Sequence, residues 1–355
     1  MKKKLFLVVS SLRAGGAEKV FWLLANYIDK SKFEVYLVLL DSKTAFFSLD
    51  IPNITIIDLQ TVRASKSFFK LLNLIKKEKP DALLSTGGQI DFMVSILSFF
   101  FSVPMMIARG ASIPNEIAQY ASNPRGKLMK PFSSALYKRF DKIVCQSDEM
   151  KIYFHEAMGI PDRKLNIIPN PVVLTKFLKN SAHKNDKKLI IVGRLVKEKG
   201  HDRLLEILKE LPEDYKLTIA GTGPLKNDLA HKIKFYNLEN RASLVGQISN
   251  IQETIANHDL LVLTSYTEGF PNVVTESISV GVPVVTFKVG GVSSIIEEGF
   301  NGYIVPQGNN LIFKESIIKV CEQTWDSIAI KEDAIKRFGS SKIVGMYEAL
   351  ISGRQ

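Results

Sequence analysis

Short β-rich runs alternate with longer helical patterns along almost the whole chain, and no other feature constrains the fold as much. KLFLVVSS, FEVYLVLLD, ITIIDL, DALLST, VPMMIAR, KIVCQS and KLNIIPNP read as strands, with AEKVFWLLANYI and SFFKLLNLIKKEKP as helices among them. Strands separated by helix-length connections build βαβ units and parallel sheets. After NPVV the alternation restarts. KKLIIVGRL, KLTIAGTG, ASLVGQ, DLLVLTS and VPVVTFK read as strands, and HDRLLEILKEL, PLKNDLAHKIKFYN, IQETIANH, PNVVTESISV and VSSIIEE as helices, followed by a hairpin-like GFNGYIVP. Two α/β halves of similar size are implied, meeting near Asn170-Pro171 ahead of a polar, basic stretch, LKNSAHKNDKK. A length of 355 residues suits two domains at roughly 100–200 residues each. The expected division is residues 1–170, residues 171–335 and a closing helical segment, 336–355. In that segment the Gly339-Ser340-Ser341 break starts a helix, and Ile343, Met346 and Leu350 fall on one buried face.

Charge and composition narrow the class. The net charge of +11 is uneven: residues 1–172 hold 24 Lys/Arg against 15 Asp/Glu, leaving only +2 for the remainder. An anionic surface or partner is therefore expected for the first half. The two cysteines, Cys145 and Cys321, are far apart and form neither a metal-ligand spacing nor a disulfide framework. They read as small buried hydrophobes in a reducing compartment. The opening MKKKLFLVVSSL imitates a secretory signal, but the Gly-rich turn and helix pattern that follow make it a first strand. Phe92 to Ala108 is the longest apolar run; it falls short of about 20 residues, Pro104 interrupts it, and it reads as a core helix and strand.

Four stretches carry chemistry. Gly15-Gly16 lies between a strand and a helix, where glycines let backbone N–H groups approach an anion; the bland alternative is a tight turn. Arg194 and Lys199 follow a strand and precede a helix. Two cations at a strand's carboxyl end suit a diphosphate, although a solvated loop would show the same residues. GTG at Gly221–Gly223 lacks the third glycine of a dinucleotide fingerprint, with Pro224 suited to a helix start, and Val245 to Gln247 ends the next strand. In SYTEGFPNVVTES, Pro271 is expected as the first residue of a helix that runs to about Val280 and is capped by Gly281. Glu268 then sits in the loop before the helix and Glu276 inside it. The helix N-terminus, with the N–H groups of Asn272 and Val273, faces an anion. A turn residue and a solvated helix position remain the alternative.

Taken together, E-G-F-P-N-V-V-T-E as an E-x7-E motif, GGAEK, GRLVKEKG, GTGPLKNDL and GVPVVTFKVGGVSSIIEEGFNGYIVP resemble a family 4 retaining glycosyltransferase, over nearly the whole chain and in the family's order. The resemblance implies the GT-B fold, two Rossmann-like domains facing across a cleft, with the C-terminal helix crossing back to the first. It implies a nucleotide-sugar donor on the second domain and an acceptor on the first. By the same resemblance Arg194 and Lys199 hold the diphosphate, and Glu276 the ribose hydroxyls. Glu268 meets the transferred sugar, helped by N–H groups from Gly269 and Phe270 to Asn272 and Val273. Gly15 and Gly16 approach the phosphates, and Val245 and Gln247 lie near the base. Relatives often carry a sugar-facing histidine late in the first domain; here Arg109-Gly110 stands in that neighbourhood, so Arg109 is the candidate for a related polar role.

No metal or cofactor is expected beyond the nucleotide-sugar co-substrate, and the chain has no D-x-D. Ser67–Lys79 and Arg125–Phe140 mix apolar and basic residues, as a segment lying on an anionic bilayer does, and as a lysine-faced amphipathic helix also does. With a glycan or polyprenyl-diphosphate-linked acceptor, a cytoplasmic enzyme attached peripherally to the inner face of the cytoplasmic membrane is expected. Three competing readings have identifiable weaknesses. A nucleotide-sugar epimerase of the same fold needs a further acid/base set. A nicotinamide oxidoreductase needs GxGxxG. A nucleic-acid binder needs a recognition motif.

Overall fold

The computed structural model describes residues 1–61, 63–110, 130–180 and 187–353, with 130–133 described by backbone alone. The chain forms two compact units, Met1–Pro171 with Ser340–Gln355, and Val172–Gly339.

The first unit is built on a seven-stranded parallel sheet in the order β3-β2-β1-β4-β5-β6-β7. Its strands are β1 (Lys3–Val9), β2 (Phe33–Leu39), β3 (Thr55–Asp58), β4 (Ala82–Thr86), β5 (Met105–Arg109), β6 (Lys142–Cys145) and β7 (Leu165–Ile167). Its helices are α1 (Gly16–Tyr27), α2 (Ala64–Glu78), α3 (Gly88–Leu97), α4 (Lys130–Tyr137), α5 (Asp148–Ile152) and, from the C-terminus, α12 (Ser340–Ser352). Helices on both faces explain why β1 reads as one continuous apolar run. Leu5, Leu7 and Val9 bury into the layer with α1 and α12, while Phe6 and Val8 bury into the layer with α2 and α3. Each such side chain, wholly withdrawn from water, contributes roughly 1.5–3 kcal/mol. On α12, Ile343 and Leu350 are buried and Met346 packs beside them, and Tyr347 completes the face. Glu348 Oε1 accepts from the Asp29 N–H at 2.8 Å and fixes the helix end on.

The second unit repeats the plan with six parallel strands in the order β10-β9-β8-β11-β12-β13. These are β8 (Lys187–Val192), β9 (Tyr215–Ala220), β10 (Ala242–Gly246), β11 (Leu260–Leu263), β12 (Val284–Phe287) and β13 (Gly302–Val305). Around them lie α6 (His201–Lys209), α7 (Lys226–Phe235), α8 (Ile251–Ala256), α9 (Asn272–Ile278), α10 (Asn310–Glu322) and α11 (Ser327–Phe338). The segments that lead out of the unit pair with each other, Val172 N–H donating to Phe338 O at 2.8 Å.

Several local expectations are corrected. GFNGYIVP is no hairpin: β13 pairs parallel with β12, Val284 opposite Gly302. VSSIIEE forms only a 3₁₀ turn at Val292–Ser294. Pro271 is the cap of α9 rather than its first residue, and α9 stops at Ile278, two residues earlier than expected. Pro224 precedes the α7 cap, Leu225, instead of opening the helix. The run from Phe92 is core helix to Leu97 and core strand from Met106 to Ala108, but Phe99 and Phe100 between them are exposed. Cys145 is buried and Cys321 packs at the edge of a core. Of Arg125–Phe140, residues before Lys130 lie outside the described residues.

Candidate active site

In the second sheet, chain order reverses between β8, which continues outward to β9, and β11, which continues the other way to β12. The loops leaving such a reversal diverge and open a crevice at the strands' carboxyl ends. Arg194 and Lys199 lie in the loop after β8, and Glu268 in the loop after β11, so the topology brings these residues to one place.

Hydrogen bonds to main-chain carbonyls knit the two loops together. The Thr264 hydroxyl donates to Gly200 O at 2.9 Å, and the Tyr266 N–H to Glu198 O at 2.8 Å. Gly200 sits at φ +62, and a Cβ there would stand 2.1 Å from Thr264 O. Only glycine permits both the left-handed backbone and the close approach. Gly290 and Gly291 grip the other side of the β11 loop. A Cβ on Gly290 would lie 2.4 Å from Glu268 O, and one on Gly291 2.9 Å from Gly269 O.

Lys199 and Glu268 form an ion pair, Nζ to Oε1 at 2.5 Å, with the two side chains 24% and 11% exposed. The Ser265 hydroxyl donates to the same Oε1 at 2.6 Å. Glu268 Oε2 has no hydrogen-bond partner among the described residues. Glu276 is the fifth residue of α9 and is 7% exposed, so it is no solvated helix position. Asn272 and Val273 open α9, and Gly269, Phe270 and Pro271 leading into it are buried. Phe270 packs edge-on to Phe338 at 6.2 Å. Arg194 is exposed; its carbonyl accepts from the Val196 N–H at 2.8 Å, and its guanidinium has no partner among the described residues. Val245 and Gln247 lie exposed at the end of β10, flanking Gly246 at φ +75.

Sequence reasoning missed the residue that holds this loop. Arg203, 6% exposed on α6, donates to Thr264 O at 2.6 Å, Ser265 O at 2.7 Å and Gln307 Oε1 at 3.0 Å. Its guanidinium lies between the rings of Tyr266 and Phe287, 4.1 and 3.9 Å from their centroids. Gln307 donates in turn to Ser265 O at 3.0 Å. An arginine in HDRLL reads as a surface residue; the signal was its place one turn after Gly200, the glycine that caps α6. The neighbouring His201 is 1% exposed with neither ring nitrogen partnered. Burial, and then the Lys199 charge, push its imidazole down to about 4.

The first-unit candidates are placed differently. Gly15 caps α1 in an extended conformation that any residue adopts, and Gly16 begins the helix. Arg109 is 2% exposed at the end of β5, donating to Asn170 Oδ1 at 2.5 Å and Thr86 Oγ1 at 3.3 Å. Nearby, Asp91 accepts from Ser85 at 2.7 Å and Tyr137 at 3.1 Å, and burial pushes its carboxyl up to about 7. Arg109 thus ties the end of β5 to Thr86 of β4 and to Asn170, with its Nε buried and unpartnered among the described residues.

Two parallel-sheet α/β units, the second with an ion pair at a strand-order reversal, define a doubly wound α/β architecture whose crevices take ligands at strand ends. Comparison with known proteins specifies the class. Residues 14–176 match the model described as Glycosyltransferase Family 4, and residues 175–337 match Glycosyl transferases group 1. The amylovoran biosynthesis glycosyltransferase AmsD of Erwinia amylovora is 26% identical, over 93% of this chain and 95% of that one. A Campylobacter jejuni N-acetylgalactosamine-N,N'-diacetylbacillosaminyl-diphospho-undecaprenol 4-alpha-N-acetylgalactosaminyltransferase is 28% identical, over 94% and 99%. Anabaena HepE, solved in complex with UDP, has the same fold at TM-score 0.82, 21% identity and 99% and 100% coverage. The chain belongs to the family 4 glycosyltransferases, has the GT-B fold, and is a nucleotide-sugar glycosyltransferase.

Proposed function

We propose that this transferase retains anomeric configuration, needs no metal, and moves a sugar from a nucleoside diphosphate sugar to a glycan or polyprenyl-diphosphate-linked acceptor of a bacterial envelope polysaccharide. A UDP-sugar is the first donor to test, because HepE was solved with UDP and with UDP-glucose. A lipid-linked acceptor follows the names of the Campylobacter relatives, whose substrates are undecaprenol diphosphates.

The observation that carries the reading is the Lys199–Glu268–Ser265 cluster at the reversal point of the second sheet. Glu268 holds the Lys199 ammonium at the strand ends and keeps Oε2 for a sugar hydroxyl. Arg194 and Lys199 take the diphosphate, and Glu276 the ribose. The bond between the anomeric carbon and the phosphate oxygen breaks, and a bond to the acceptor oxygen forms on the same face. The acceptor proton passes to the departing phosphate oxygen. Negative charge grows on the diphosphate as the sugar turns oxocarbenium-like. Fixed donors aimed at that charge stabilise it by about 3–4 kcal/mol each. Arg194 and Lys199 supply the positive charge that a metal supplies in other transferases.

Among the described residues no helix is long and apolar enough to cross a membrane. The reading places the protein peripherally, on the inner face of the cytoplasmic membrane. A thermal-shift panel of UDP-, GDP- and ADP-sugars tests the donor assignment, since stabilisation rises with ligand concentration over Kd. One nucleotide class is expected to stand out and to lose its effect in Glu276→Ala. No shift from any of them would contradict the assignment.

A further inference from the structure

Three of the large exposed apolar side chains in the first unit are phenylalanines at one place in the fold. Phe69 is 73% exposed on α2; Phe99 and Phe100, just beyond α3, are 65% and 57% exposed. The half-buried Phe68 links them, its ring 5.3 Å from Phe69 and 6.2 Å from Phe100, edge-on in both cases. Phe68 and Phe101 pack on the core beneath, which anchors the cluster to the sheet layer.

The rim of the cluster is cationic. Lys66, Lys70, Lys76 and Lys77 are exposed on α2, and Lys66 and Lys76 share a helix face with Phe69 at i−3 and i+7. The Arg139 guanidinium stacks 3.8 Å from the Phe99 ring centroid and donates to the Ser98 hydroxyl at 2.6 Å. No Asp or Glu lies between Asp58 and Glu78, or from Phe92 to Gly110. Isolated exposed apolar residues are ordinary, but a rimmed cluster marks a contact surface. Aromatic rings inside a ring of Lys and Arg match the depth profile of a bilayer interface, apolar below the headgroups and cationic at the phosphates. A second copy of this chain would fit badly, because a two-fold contact sets the lysine rim against itself.

We propose that Phe69, Phe99 and Phe100 insert below the headgroups of an anionic bilayer while Lys66, Lys70, Lys76, Lys77 and Arg139 contact lipid phosphates. The proposal rests on the membrane reading above and identifies the surface that makes the contact. Neither helix pattern predicts this surface alone, since its rings come from two elements some 30 positions apart.

Flotation of the full chain with vesicles of phosphatidylcholine, with or without phosphatidylglycerol, tests it. The wild type is expected to float with the anionic vesicles in a salt-sensitive manner. Phe69→Ser/Phe99→Ser/Phe100→Ser is expected to bind about tenfold or more weakly. Lys66→Gln/Lys76→Gln/Lys77→Gln is expected to lose about fivefold per lysine. Both variants should keep the urea midpoint and the donor-induced thermal shift. A wild type that floats alongside an equally bound phenylalanine variant overturns the assigned surface while leaving the membrane reading intact. A wild type that floats with neither vesicle overturns both, and the donor panel still stands on its own. Sedimentation velocity showing a dimer that the phenylalanine variant disperses, without flotation, makes the patch an interface between copies and overturns the proposal. Should the triple variant fail to fold, Phe69→Trp decides. Its emission, above that of Trp22 and Trp325, should shift to the blue with anionic vesicles and be quenched by brominated lipid; unchanged emission overturns the insertion.

Discussion

Replacing Arg203 by Met tests whether the candidate site depends on a side chain that never reaches it. The guanidinium donates at 2.6 and 2.7 Å to the buried carbonyls of Thr264 and Ser265, and at 3.0 Å to Gln307. Methionine fills much of the same volume, but the Thr264 carbonyl loses its guanidinium donor and Ser265 O keeps only Gln307 Nε2, at 3.0 Å. An unsatisfied buried acceptor costs about 1–3 kcal/mol. Loss of two cation–ring contacts, to Tyr266 and Phe287, adds about 0.5–1 kcal/mol each. Against this, burying a charge is itself costly, and methionine removes that cost. The expected net is a loss of about 2–4 kcal/mol in urea unfolding. Because Arg203 fixes the main chain of Ser265, whose hydroxyl orients Glu268, donor affinity by calorimetry should weaken about tenfold, one further misplaced hydrogen bond. Arg203→Lys keeps the charge without the fork and should fall between the two. A methionine variant that loses less than about 1 kcal/mol would refute the packing argument. One that loses the expected stability at unchanged donor affinity would refute the link to the site.

Other perturbations separate the remaining roles. Glu268→Gln retains an acceptor for Ser265 but gives up the charge facing Lys199; turnover should fall about 10²-fold with donor Kd nearly unchanged. Glu276→Ala should instead weaken donor binding about tenfold or more, and steady-state kinetics showing the same pattern for both variants would contradict the division. Gly200→Ala forces a Cβ to 2.1 Å from Thr264 O at φ +62; a loss of about 1–3 kcal/mol together with donor binding is expected in parallel melts and titrations. His201→Leu removes a buried ring whose nitrogens are both unpartnered, and should raise stability by about 1–3 kcal/mol. With the folded imidazole near 4 and an ordinary value of 6.5, the unfolded chain binds the extra proton between them, so wild-type stability falls as pH drops through that window. The leucine variant should lose that slope in urea midpoints taken from pH 4 to 8; an unchanged slope would mean that His201 is not the group responsible.

What could be read in advance divides along the range of the interactions. The strand–helix alternation was legible because each element's period is local, and so was the placement of Arg194, Lys199 and Glu268 in loops after strands, with Glu276 inside the following helix. Non-local constraints were not legible. VSSIIEE has helical spacing, yet Gly290 and Gly291 must nest against Glu268 and Gly269, leaving room for a single 3₁₀ turn before the chain returns to β13. Phe99 and Phe100 extend an apolar run that reads as core, but α3 ends at Leu97 and carries them past the layer that would cover them. Arg203 is the converse: a charged residue in a helical pattern is assigned to solvent, yet its partner Gln307 is 104 positions away and the carbonyls it satisfies more than 60. Its burial follows from the fold's own demand. The β11 loop must stay irregular to present Glu268, so its carbonyls are left without strand partners and need an external donor. A guanidinium, with five N–H groups in a rigid fork, satisfies two carbonyls and a side-chain amide at once, which an ammonium cannot do in that geometry. The burial of Arg203 therefore follows from an irregular loop at a strand reversal, whose carbonyls need hydrogen-bond donors on their protein side.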